Sequence, residues 1–332
     1  METVVSGVRP TGHLHLGNYF GAVKNFISMQ EAHKCYFFVA DYHRLTTHLN
    51  SNDSLSESVI NVVSEYLACG LDPNKCTLYA QSDLPETCEL YLILNMLAYK
   101  GELEKCTTFK DKVRDQKTNI NTGLLTYPVL MAADILIHKA DKVPVGKDQQ
   151  QHLEMTRNYA RRFNHIFNAD YFPEPSAFNF GDDLIKIPGL DGSGKMGKSE
   201  GANNAVYLFE DESVIRKKVM KAKTDSGPKI ADSKPTQEIQ NLFDIMHIVS
   251  EKNTFEFFLD SYKDCSIRYG DLKQTLADDI IRFTSPFREK IKEFSANKDY
   301  IKRILNLGKE KAKENAHSTI KDVRKLIGFN SC

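Results

Sequence analysis

The chain has 332 residues, 41% of them hydrophobic, enough for a substantial core in one large domain or two ordinary ones. Its 44 basic and 44 acidic residues cancel, which excludes a global positive field for nucleic acid and leaves that task to local patches. Seven scattered cysteines (Cys35, Cys69, Cys76, Cys88, Cys106, Cys265 and Cys332) form no C-x-x-C pair and no Cys/His cluster at zinc spacing, so reduced thiols are expected and a metal site is not.

The N-terminal METVVSGV lacks a basic region followed by a long apolar run, and no segment approaches the length needed to cross a bilayer. A cytoplasmic protein without a membrane partner is therefore expected. TVVSGV (Thr3–Val8) reads as a strand, and residues 17–32 place Phe20, Val23 and Ile27 at helical intervals. CYFFVADYH (Cys35–His43) is a continuous apolar run, as in a strand buried on both faces. LSESVINVVSEYLACG (Leu55–Gly70) reads as a helix with a glycine stop, and CTLYAQS (Cys76–Ser82) as another strand. Glu89–Tyr99 and Leu124–Lys139 are apolar helices, and DKVPVG (Asp141–Gly146) is a strand ending in glycine. After Ala205 only amphipathic helical stretches follow.

Strand–helix alternation predicts an α/β fold, a Rossmann-like open parallel sheet over residues 1–204, with an all-helical C-terminal domain over 205–332 whose last helix packs back on the first. Ligands in such sheets sit at the C-terminal ends of the strands, which directs attention to Arg9–Asn18, Asp41–Arg44 and Gly146–Gln149. The basic stretches Arg216–Lys223 and Gly308–Lys325 read as solvated helix faces when each is taken alone.

GSGKMGKS (Gly192–Ser199) satisfies both the phosphate-loop and the dinucleotide patterns. Both need a helix to open at that point, and the sequence that follows, EGANNAVYLF, carries Gly201, Asn203 and Asn204, poor helix-interior residues. What remains is a glycine-flexible loop with Lys195 and Lys198 three apart, able to bring charge to a triphosphate. Near the start, RPTGHLHLGNY (Arg9–Tyr19) offers a turn at Gly12, an imidazole at His15 to donate to phosphate oxygens, a flat backbone at Gly17 for an adenine, and Asn18 at a helix start that favours anions. His13 reads as structural. Asp134, inside the apolar LMAADILIH, shares a helix face with Met131, Ile135 and His138 and needs a donor, which a neighbouring Lys, the backbone or an indole N–H can supply. These residues by themselves point to an aromatic amino acid.

KMGKS resembles the KMSKS signature of class I aminoacyl-tRNA synthetases, and GHLHLGN the HIGH-type motif that accompanies it. With DYHRLT, GLLTYPVLMAADIL and VPVGKDQQQHLEMTR between them, in order, the chain resembles the bacterial-type tryptophanyl-tRNA synthetases from Val4 to Ser199 and more loosely beyond. The resemblance implies an enzyme that activates L-tryptophan with ATP and Mg2+ as a substrate complex and passes it to tRNA(Trp), as a homodimer, with the helical half meeting the anticodon. It implies an indole pocket on Val5, Gly7, Ala40, His43, Met131, Asp134, Val143 and Val145, with Gln149 touching the amino acid and the α-phosphate. ATP is expected on Arg9, Pro10, Thr11, Gly17, Asn18, Gly146, Lys147, Asp148, Gln149, Ile187, Lys195, Met196, Gly197, Lys198 and Ser199. Of these, His15, Asn18, Lys195 and Lys198 are expected to act on the phosphates. They are joined by Lys112 from the charged stretch Lys105–Thr118, which resembles the family's mobile loop. Arg9, Lys147 and Gly197 depart from the family pattern. A tyrosine-activating enzyme on the same fold and a catalytically silent RNA-binding relative are the alternatives.

Overall fold

The protein was analysed as a computed structural model, which describes residues 1–47, 49, 54–115, 120–146, 149–178, 186–197 and 203–329. β1 (Thr3–Val8) leads to α1 (Leu16–Asn18), a π-helical turn (Tyr19–Val23) and α2 (Lys24–Met29). β2 (Lys34–Val39) runs into α3 (Asp41–Leu45) and α4 (Leu55–Cys69). β3 (Cys76–Ala80) is followed by a 3-10 turn (Gln81–Asp83), α5 (Pro85–Leu97), α6 (Lys100–Glu104), α7 (Thr107–Asp115) and α8 (Thr122–Leu136). β4 (Lys142–Val143) precedes α9 (Gln150–Ile166), and β5 (Ser176–Ala177) completes the sheet. Beyond it come α10 (Glu212–Met220), α11 (Gln237–Val249), α12 (Lys252–Lys263), α13 (Tyr269–Ala296) and α14 (Lys298–Ile327).

The sheet order is β3-β2-β1-β4-β5 and every pair is parallel. β1 and β2 run in register from Thr3 opposite Lys34 to Val8 opposite Val39. The chain builds outward from β1 through β2 to β3, then crosses back to place β4 on the other side of β1. A crevice therefore opens between the C-terminal ends of β1 and β4, the switch point where open sheets take ligands.

Alternate side chains divide the core between the two sheet faces. Val4, Phe37 and Leu78 pack with Val62 and Tyr66 of α4 and Ile280 of α13, while Val5, Tyr36, Phe38 and Tyr79 pack with Val129 and Leu136 of α8 and Phe163 of α9. α14 lies directly on β3. A Cβ at Gly308 would overlap the Leu78 carbonyl oxygen, and Ala312 and Ala316 extend the small-residue stripe that permits this approach. Both core clusters thus draw side chains from before and after residue 205.

Several elements differ from the sequence-based expectations. The second strand ends at Val39, because Asp41 turns inward and accepts from the backbone N–H of Tyr42 and of Ser82, starting α3 where Cys35–His43 had read as one strand. The fourth strand is only two residues long, not the six of Asp141–Gly146, since it pairs through one residue with β1 and two with β5. The stretch Lys105–Thr118, expected as a loop, is helical over Thr107–Asp115. The reason is tertiary: Phe109 packs against the core, and Gln151 of α9 accepts from the Thr107 N–H and hydroxyl. No helix among the described residues is long and apolar enough to cross a membrane. The six described cysteines are free, and burial pushes the Cys35 and Cys76 thiols up to about 12.

Candidate active site

The turn after β1 is built by its own side chains. His15 is the N-cap of α1. Its Nδ1 accepts from the Asn18 backbone N–H at 3.2 Å, and the Asn18 side-chain oxygen accepts from the His15 N–H, also at 3.2 Å. With Nδ1 accepting, the proton of the neutral ring lies on Nε2, the form that donates to an anion. His13 serves the fold: Nδ1 meets the buried Glu65 carboxylate at 2.5 Å, and the ring lies against Phe209 at a 37° tilt. Glu65 also accepts from the Leu14 N–H, which fixes the turn to α4.

The late loop comes to this turn. Ile187 and Met196 are buried, joined by the Met196 N–H to the Ile187 carbonyl at 2.8 Å. The Met196 Cβ lies 3.5 Å from the position a Cβ would take on Gly17. On its return the chain pairs with the turn itself, Leu16 N–H to Val206 O at 3.0 Å and Leu208 N–H to Leu14 O at 2.9 Å. Asn204 accepts from the Gly197 N–H and donates to Asp191 and Ser193, while Asn241 of α11 donates to the carbonyls of Gly189 and Ser193. Lys195 is exposed at the loop tip. Lys198 and Ser199 lie outside the described residues, and the described residues on either side, 186–197 and 203–211, form no helix.

Beside the crevice, three elements converge on one carboxylate. Asp134 of α8 is buried. Gln81, just past β3, donates from Nε2 to both Asp134 oxygens at 2.8 Å, and His43 of α3 reaches Oδ2 through Nε2 at 2.9 Å. Burial raises the Asp134 carboxyl above its ordinary value, against the lowering effect of the His43 and Gln81 hydrogen bonds. The partner that sequence reasoning sought for Asp134 is thus already supplied by side chains. A carboxylate has about four acceptor positions, so a further N–H can still be taken. Gln81 was missed. An ordinary glutamine after a strand carries no signal of its own, although its place at a strand's C-terminal end does. Val5, Ala40 and Val143 are buried around the same edge of the sheet, and Met131 and Val145 are half-buried. Gly7 is required beside the Phe38 ring, which a Cβ would overlap. His138 follows Asp134 by one helical turn but faces the sheet. It stacks on Tyr36 at 4.0 Å and bonds to the Tyr79 hydroxyl and to Asn315 of α14, and burial lowers it to about 4.

Lys112 of α7 sits with its ammonium 4.7 Å from the Tyr127 ring centre. Burial, and then the charge of Arg9, lowers its value, so two cations from α7 and the β1 turn share one neighbourhood. The Tyr127 hydroxyl meets His152 Nε2 at 2.6 Å, and His152 Nδ1 meets Gln149 Oε1 at 2.8 Å. Tyr127 and His152 were likewise not singled out in the sequence. Pro10 is buried, Thr11 and Gly146 are half-buried, and Arg9 is exposed on the lip of the crevice. Lys147 and Asp148 lie outside the described residues.

The family described as tRNA synthetases class I (W and Y) matches residues 2–285. The chain belongs to this family. It is an aminoacyl-tRNA synthetase. A tryptophan–tRNA ligase of Porphyromonas gingivalis is 56% identical over 329 residues, covering 99% of this chain and 100% of the relative. One from Fusobacterium nucleatum is 40% identical, covering 99% and 98%. The solved tryptophanyl-tRNA synthetase of Campylobacter jejuni, complexed with ADP and tryptophan, superposes with a TM-score of 0.87 at 32% identity, covering 98% of this chain and 99% of that one.

Proposed function

We propose that this enzyme activates L-tryptophan with Mg-ATP and transfers it to the 3′-terminal adenosine of tRNA(Trp) in the cytoplasm. The observation that carries tryptophan is the end-to-end match, at 56% identity, to a tryptophan–tRNA ligase. The buried Asp134 acceptor gives that choice a physical reason: an indole N–H can take the acceptor position that Gln81 and His43 leave, and a phenylalanine ring has no donor for it.

In the first step a tryptophan carboxylate oxygen bonds to the α-phosphorus while the bond to pyrophosphate breaks, giving tryptophanyl-adenylate. The protein supplies alignment and charge rather than a covalent intermediate. Val5, Gly7, Ala40, His43, Met131, Asp134, Val143 and Val145 form the indole slot. Asp148 takes the ribose hydroxyls, and Gln149 meets the amino acid and the α-phosphate. His15 and Asn18 bind along the phosphate chain. Lys112, Lys195 and Lys198 neutralise the departing pyrophosphate, with Arg9 adding charge beside Lys112. In the second step a ribose hydroxyl of the terminal adenosine attacks the activated carbonyl and AMP leaves.

Residues 1–204 act as the catalytic unit, and 205–332 as the helical unit that meets the anticodon. The enzyme works as a homodimer, for which the exposed Leu92, Met96 and Tyr99 at the end of α5 offer an apolar face. Charging of tRNA(Trp) and tRNA(Tyr) transcripts with labelled tryptophan and tyrosine tests the reading. It predicts stable charging only for the tryptophan and tRNA(Trp) pair, and charging with tyrosine contradicts it.

A further inference from the structure

His152 is fully buried at the start of α9, where its ring meets, among the described residues, side chains of the Cys106–Thr108 segment, of α8 and of the α9 N-cap. Its Nε2 lies 2.6 Å from the Tyr127 hydroxyl, 3.2 Å from Thr108 Oγ1 and 3.3 Å from Cys106 Sγ. Its Nδ1 lies 2.8 Å from Gln149 Oε1. An amide oxygen only accepts, so Nδ1 carries the hydrogen and Nε2 is the acceptor, ringed by groups that can each donate. The imidazole is therefore fixed from α7 and α8 on one side and grips Gln149 on the other.

We propose that His152 is a positioning residue that orients the Gln149 carboxamide for the reaction. With Oε1 held by His152, the Gln149 carboxamide is fixed with its N–H end away from the ring, the end that donates to a carboxylate or phosphate oxygen. The anchors matter because of what they carry: Thr108 shares α7 with Lys112, and the Lys112 ammonium lies over Tyr127. One buried ring thereby ties a substrate-facing amide to the helix that brings a cation. The inference rests on the reading of Gln149 as a substrate contact.

Two conservative variants separate orientation from packing. In His152→Asn the side-chain amide nitrogen replaces Nδ1, keeping a donor for Gln149. In His152→Gln the amide nitrogen falls near Nε2 and the Gln149 contact is lost. Tryptophan-dependent pyrophosphate exchange is measured for wild type, both variants, Gln149→Ala and each double variant, with thermal melting alongside. A hydrogen bond worth about 1.4 kcal/mol predicts that His152→Gln loses kcat/KM for tryptophan about tenfold, while His152→Asn stays within about threefold. In the Gln149→Ala background the two variants become equal. Equal losses in wild-type background, or the same difference between the variants with and without Gln149, overturn the proposal. Wild-type exchange by Gln149→Ala instead removes the reading on which it stands.

Discussion

Gly17→Ala places a methyl group where the early turn meets the late loop. The new Cβ would lie 2.9 Å from His15 Nδ1 and 3.0 Å from Cε1, whereas ordinary contact begins at 3.4 Å, so the ring must retreat by about half an ångström. The opposite side offers no slack, with the Met196 Cβ already at 3.5 Å. The bond from the Asn18 N–H to Nδ1 is 3.2 Å long and is lost by that retreat. Overpacking of this kind costs about 1–3 kcal/mol, offset by about 1 kcal/mol from the better helix propensity of alanine. The net loss of about 1 kcal/mol lowers Tm by only about 1–2 °C in a chain of 332 residues. Catalysis suffers more: a misplacement of about 1 Å can cost about 100-fold in rate, so a retreat of about half that costs about tenfold. Pyrophosphate exchange and thermal melting on the same preparation read both effects. Exchange within threefold of wild type in a folded variant refutes the assignment of this turn to the phosphates.

Asp134→Asn sets an amide against the Gln81 and His43 donors and raises the tryptophan KM by at least about tenfold while the ATP KM holds; an unchanged tryptophan KM contradicts the slot. Burial raises the folded-state value of Asp134 above its unfolded value, so the native state keeps this proton to higher pH. Its contribution to stability is therefore unfavourable at neutral pH and is relieved on acidification, while tryptophan binding weakens as pH falls through the same raised value. Gln81→Leu removes the donor that spans both Asp134 oxygens, an interaction worth about 1.5–3 kcal/mol, and moves the acid limb of a tryptophan KM–pH profile to higher pH. An unmoved limb shows that Gln81 does not support the charge. Gly308→Ala drives a methyl group into the Leu78 carbonyl and lowers Tm despite the better helix propensity of alanine; an equal or higher Tm shows that α14 does not rest on β3 at that residue.

The parts of the fold that local chemistry dictates were legible in the sequence. The apolar run after Lys34 announces a doubly covered strand, and Gly70, with φ of 112°, ends α4 where the helical period stops. The early turn and the late loop, which the structure brings together at Gly17 and Met196, were legible as well from their glycine, imidazole and lysine pattern. The rest depends on long-range contacts. α7 has no apolar stripe and takes its place through Gln151 and the core contact of Phe109. β4 and β5, two residues each, are strands only because their neighbours pair with them. Gln81, Tyr127 and His152 are common polar and aromatic types, and their significance lies in partners 53, 25 and 46 residues away.

The central claim is that the His15–Gly17 turn and the Lys195 loop serve one triphosphate beside an indole slot. ATP–pyrophosphate exchange measured with each of the twenty amino acids in turn tests it most directly. The account predicts exchange that requires tryptophan, with tyrosine and phenylalanine near background and no exchange from ATP alone. Exchange driven equally by tyrosine, or ATP hydrolysis that needs no amino acid, contradicts it.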